Sequence, residues 1–177
     1  IKIIDFKNIE IFQHIIISLI KMASQQIELQ IVSDNTDQSL IPKGMIILRS
    51  QNFDHKICLY SHEKCREVCN AFINLTKLIE KFPELFISVI DKLFEIIIQS
   101  TKQFSLKIFY SSNQIPNSSL SCLDMLIEKA DLINVSYQQL LTVLNELIPD
   151  LIIKQIINFL KNIINKFNDP GLIQPSI

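Results

Sequence analysis

Several things are scarce in this chain. It has no tryptophan, two glycines, and no excess of either charge. Gly44 and Gly171 lie too far apart for a phosphate-binding loop, a dinucleotide fingerprint or a nucleophile elbow. Each of those needs several glycines at short, fixed spacing, to bring backbone near a phosphate or to hold a strained turn. So few glycines also argue against a sheet-rich fold with many tight turns. The 17 basic and 18 acidic side chains leave a net charge of −1. That supplies no positive field for a nucleic-acid backbone, so no nucleic-acid partner is expected. Long uncharged apolar runs are missing as well. Ile11–Ile20 contains His14. Leu85–Ile98 is broken by Asp91, Lys92 and Glu95, and Leu147–Ile164 by Asp150, Lys154 and Lys161. A membrane span needs about 20 residues almost free of charge, so no transmembrane segment is expected. The first residue is isoleucine, and no basic, apolar, small-residue leader opens the chain. The expectation is a piece of a longer polypeptide.

What is present is apolar. Of 177 residues 48% are hydrophobic, and 35 are isoleucine. A disordered chain has far less apolar content. The length suits one domain, read as residues 1–167, with 168–177 a tail or linker. The fold class expected is all-α: an antiparallel bundle or short solenoid of about five helices, with an irregular insertion near residues 33–60.

The periodicity predicts a first helix from Asp5 to Ile31, through Ile9, Phe12, Ile16, Leu19, Ile20, Ala23 and Ile27. Ser33–Lys43 is rich in turn formers and reads as a loop. Met45–Arg49 and Lys56–Tyr60 are short apolar runs that fit either a small hairpin or an ordered loop. Ser61 is a cap for a second helix that runs to Phe82. Pro83 then breaks that helix or opens a third, which extends toward Tyr110. Ser111–Asn117 reads as a loop stopped by Pro116, with Ser118 or Ser119 capping a fourth helix that continues to Ile148. Pro149 separates it from a fifth, Asp150–Phe167.

That last helix is apolar around most of its girth, through Leu151, Ile152, Ile153, Ile156, Ile157, Phe159, Leu160, Ile163 and Ile164. Such a helix must bury more than one face, more than a small bundle covers. Contact with further protein, from other subunits or from the rest of the same chain, is expected. Lys154, Lys161 and Lys166 beside the isoleucines would also suit an anionic membrane surface, so peripheral membrane association stays open.

Chemistry-bearing residues are few. His55, Cys58, His62, Cys65 and Cys69 lie within fifteen residues. On one helix, Cys58 with His62 and Cys65 with Cys69 would each share a face. All of them cannot meet one tetrahedral metal, since Cys58 to Cys69 would span roughly 16 Å at 1.5 Å per residue. The favoured reading makes Cys65 and Cys69 small core residues and leaves all four cysteines, Cys122 included, as free thiols. The sequons at Asn74, Asn117 and Asn134 are discounted as chance matches. With only His14, His55 and His62 available, no nucleophile–histidine–carboxylate grouping stands out. No catalytic, cofactor-binding or metal-ligating residue is assigned. The chain is expected to be non-enzymatic and without a cofactor.

The layout of Ser61–Ile152 carries one resemblance. A helix ends at Phe82-Pro83-Glu84-Leu85, and a second ends at Leu106-Lys107-Ile108-Phe109-Tyr110. Ile127-Glu128-Lys129-Ala130-Asp131-Leu132 follows, then Leu140-Leu141 and Ile148-Pro149. About half the chain thus resembles the C-terminal helical region in the subunit family of the Golgi-associated retrograde protein complex. The resemblance implies a cytoplasmic helical rod that helps tether endosome-derived vesicles, peripheral to Golgi or endosome membranes. It supplies no ligand residue, and the alignment slips by about three residues before Leu140. Paired helices joined at a Phe-Pro junction are also similar to HEAT or armadillo solenoid scaffolds. An Ile- and Phe-rich helical interior could instead hold a lipid or another apolar small molecule.

Overall fold

The computed structural model describes residues 6–27, 30–33, 35–50, 56–103, 109–110 and 114–168. Six α-helices among them build the body: α1 (Phe6–Ala23), α2 (His62–Lys81), α3 (Ile90–Gln103), α4 (Gln114–Glu128), α5 (Tyr137–Leu147) and α6 (Ile153–Phe167). Short 3-10 turns at Gln38–Leu40, Pro83–Val89 and Ile148–Asp150 link some of them. The body is an all-α helical bundle, as composition and periodicity predict.

The insertion is more regular than expected. Strands β1 (Gln30–Ser33), β2 (Met45–Ser50), β3 (Lys56–Ser61) and β4 (Phe109–Tyr110) pair in the order β1-β3-β2-β4, all antiparallel. The hairpin alternative for Met45–Arg49 and Lys56–Tyr60 therefore holds, with Met45 opposite Ser61 and Arg49 opposite Ile57. Gly44 adopts φ +85°, a left-handed conformation natural only to glycine, just before β2. Its carbonyl accepts from the His62 N–H at 2.9 Å and closes the hairpin's open end.

Helix α1 ends at Ala23, not Ile31. Beyond Ile27 the apolar residues alternate with polar ones (Ile27-Glu28-Leu29-Gln30-Ile31), a strand period, and Gln30–Ser33 pairs with β3. Asp5, the expected start of that helix, lies outside the described residues. Helix α2 begins where expected: the Ser61 hydroxyl accepts from the Lys64 N–H. Pro83 both ends the α2 register and opens a 3-10 turn, its missing N–H harmless at that position. Helix α3 stops at Gln103 and does not reach Tyr110, which belongs to β4.

Three corrections concern α4. It starts at Gln114, so Pro116 sits in its first turn, where proline is tolerated, and does not end a loop there. Ser118 and Ser119 are buried within the helix and cap nothing; their hydroxyls donate back to the Ile115 and Pro116 carbonyls. The expected long fourth helix is two. After Glu128 the chain turns, Asn134 takes φ +57°, and the Val135 N–H reaches the Ala130 carbonyl at 2.9 Å, a Schellman-type closure. A full capping box starts α5: Ser136 Oγ accepts from the Gln139 N–H at 3.2 Å, and Gln139 Oε1 from the Ser136 N–H at 2.8 Å. Helix α6 begins at Ile153, after a 3-10 turn holding Asp150, rather than at Asp150 itself.

The core centres on α2, which packs against both α1 and α4. Phe72, Leu75 and Ile79 are fully enclosed there with Leu93, Ile96 and Ile97 of α3 and Leu126 of α4. Helices α3 and α6 also pack on α4, and α5 rests on α3 and α6. Of the buried polar side chains, Thr101 Oγ1 donates to the Ile97 carbonyl at 2.8 Å and lies 3.2 Å from Ser119 Oγ. No helix among the described residues is long and apolar enough to cross a membrane.

Candidate functional site

Helix α6 buries only Phe159 and Ile163 fully. Ile156, Leu160 and Phe167 are half-buried against the core. The rest of its apolar arc faces outward. Ile153 is 76% exposed, Ile157 45% and Ile164 43%. With Leu160 they recur every three or four residues and form one stripe. Lys154 and Lys161 stand exposed on the same helix, which carries no acidic residue. The inner side is pinned by polar contacts. Lys166 Nζ lies 2.9 Å from Asp131 Oδ1, Asn162 Nδ2 donates to Asp124 Oδ1 at 3.3 Å, and Phe167 meets Tyr137 edge-on at 5.5 Å. The Lys166 ammonium holds the Asp131 carboxyl below its ordinary value by hydrogen bonding and charge. Desolvation beside α6 raises Asp124 despite the Asn162 bond.

Helix α1 shows a comparable surplus. Ile11, Ile15 and Met22 fall on one exposed stripe, and Ile17 is exposed on the other flank of the buried face. Periodicity pointed to surplus apolar surface on the last helix; the structure leaves it uncovered there and adds α1.

The cysteine–histidine group does not assemble as one helical face. Cys58 belongs to β3, and His62 is the exposed first residue of α2. His55 lies outside the described residues. Among the described residues no three His, Cys, Asp or Glu side chains converge on a point. Cys65 and Cys69 are buried thiols outside any disulfide, one turn apart on α2, and Cys122 is a third, on α4. Their chemistry differs. Burial pushes the Cys122 thiol up to about 12. Cys69 is lowered to about 7, chiefly by a hydrogen bond from Cys65 and further by the Ser118 hydroxyl. The single Ser118 proton serves either Cys69 or the Ile115 carbonyl 3.3 Å away.

Cys69 also lines a cavity of about 610 Å³ between α2 and α4. Arg66, Asn70, Ile73, Thr76 and Lys77 wall it on the α2 side, and Asn117, Ser118 and Ser121 on the α4 side. Sequence spacing put Cys65 and Cys69 on one helix face. It could not show that α4 brings Ser118 to the sulfur, since that approach depends on helix packing.

Against known proteins, no family model matches the chain, and no curated protein is similar to it.

Proposed function

We propose that this chain is a non-enzymatic interaction domain of a larger helical assembly. Its α6 face meets another helix whose apolar stripe is bordered by carboxylates. The observation that carries the reading is the stripe of Ile153, Ile157 and Ile164, exposed on a helix whose two exposed charges, Lys154 and Lys161, are both basic. Solitary domains rarely leave such a contiguous apolar surface to water. Lysine borders select acidic partners and repel basic ones. The occupant is another subunit or another part of the same polypeptide. The resemblance over Ser61–Ile152 supports a more specific form, a rod in a complex tethering vesicles between endosomes and the Golgi.

The test is light scattering after size exclusion, on the chain and on Ile157→Glu/Ile164→Glu, each mixed with an acidic amphipathic helical peptide. The expected result is a complex of the chain with that peptide that the double variant abolishes, at unchanged helical circular dichroism. A chain that stays unbound at high peptide concentration and matches the variant would sink the reading. Sedimentation with phosphatidylserine vesicles, lost at high salt, would assign the face to a membrane and overturn the protein partner.

A further inference from the structure

We propose that the cavity between α2 and α4 is a reversible thiolation site, in which Cys69 exchanges with a small anionic disulfide held beside Arg66 and Lys77. The proposal is independent of the α6 face and does not require that reading.

Geometry comes first. Residues 66, 69, 70, 73 and 77 recur at three- and four-residue spacing, so one side of α2 presents guanidinium, thiol, amide, isoleucine and ammonium in order. The opposite wall, from α4, is neutral: Asn117, Ser118 and Ser121. Arg66 and Lys77 are exposed, no carboxylate lines the space, and most of the accessible wall is carbon. The volume, about 610 Å³, lies in the range of small-molecule sites. The chemistry of the walls selects an apolar body with a negative group. Cys69 is 8% exposed and lines this cavity, while Cys65 behind it is sealed at 1%.

Reactivity agrees. A thiol is nucleophilic only as thiolate, and the optimal attacking thiol has a pKa near ambient pH. The S–H of Cys65, and the O–H of Ser118 when it turns from the Ile115 carbonyl, stabilise negative sulfur at Cys69, lowering it to about 7. The ionisable neighbours are Arg66, Lys77 and Cys65, all from α2; the lining residues of α4 supply none. The exchange balances without a further oxidant. Cys69 loses its proton to solvent and its thiolate attacks one sulfur of the disulfide. A new sulfur–sulfur bond forms, the old one breaks, and the departing thiolate leaves with the electron pair.

The experiment uses two disulfides, the anionic dithiobis-nitrobenzoate and the neutral dithiodipyridine, each at substoichiometric dose. Acid quenching and tandem mass spectrometry of peptides locate the first modified cysteine. Cys69 is expected, with a rate that rises through a midpoint near pH 7. Arg66→Gln/Lys77→Gln should slow the anionic reagent about tenfold and leave the neutral one nearly unchanged. Cys69→Ser should remove the fast phase; the mapping on the unaltered chain keeps the test decisive if that variant folds poorly. First modification at Cys58, Cys65 or Cys122, or equal slowing of both reagents, would overturn the proposal.

Discussion

Helices α2 and α6 are both amphipathic, and their fates are opposite to their composition. Helix α2 carries seven charged side chains among twenty residues, yet buries seven others completely. Helix α6 has three charges and a run of isoleucines, yet buries two residues. Neighbours explain the contrast. Helix α2 lies between α1 and α4 and meets protein on two sides, whereas α6 rests on α4 and α5 and turns its other side outward. Apolar content therefore says what a helix can bury; the number of elements around it decides what it does bury. The difference marks α6, like α1, as a helix with unused capacity.

The sharpest way to break this contrast is to cut into α2. Phe72→Ala should destabilise the chain by about 3–5 kcal/mol, because the ring is fully enclosed and its loss leaves a cavity. Urea denaturation measures it. A loss below about 1 kcal/mol would mean that α2 is not the centre of the core. Next comes the joint that seats α5, on which α6 leans. Ser136→Ala removes one half of the capping box and should cost about 1 kcal/mol, visible as a lower thermal midpoint. An unchanged midpoint would show that packing alone holds α5. The smallest effect belongs to the tether of α6. The folded-state pKa of Asp131 is depressed, so its contribution is present above the ordinary carboxylate value of 3.8 and fades as pH falls through the lower folded value. Lys166→Ala should remove that acid-dependent increment. At neutral pH it should cost under about 1 kcal/mol, since the pair is part-exposed. Chemical-shift titration of Asp131 checks the sign: its midpoint should rise in the variant.

Local chemistry made some of this fold readable. Ser61 before α2 and Pro83 after it are start and stop signals that act within a few residues, and both ends fall where they predict. The apolar period of α6 was equally plain. The end of α1 was not, because Ser24-Gln25-Gln26 contains no strong breaker and only the alternation beyond Ile27 betrays a strand. The break between α4 and α5 does carry a local signal: Ser136-Tyr137-Gln138-Gln139 is a serine-to-glutamine capping box, preceded by an asparagine able to turn left-handed. Strand β4 is two residues long, too short to show a period at all. In the α2–α4 cavity, the four-residue step from Cys65 to Cys69 is legible, while local pattern makes Ser118 a helix cap. Its place beside the sulfur comes from packing between distant segments, which no local pattern encodes.

The pairing of β2 with β4 has a kinetic consequence. Ser50 faces Phe109 and Arg49 faces Tyr110, so this contact encloses all of α2 and α3 in the intervening chain. Contacts across long loops form late, because closing the loop costs entropy before any bond repays it. Strands β2 and β3 can join early as a local hairpin, with the outer edge of β2 still open. Until the helices have docked and returned Phe109 to that edge, a growing chain exposes unsatisfied backbone donors and acceptors to any passing strand. The two residues of β4 therefore close only the Arg49–Ser50 end of that edge, and close it late; the interval before they arrive leaves this end open to mispairing.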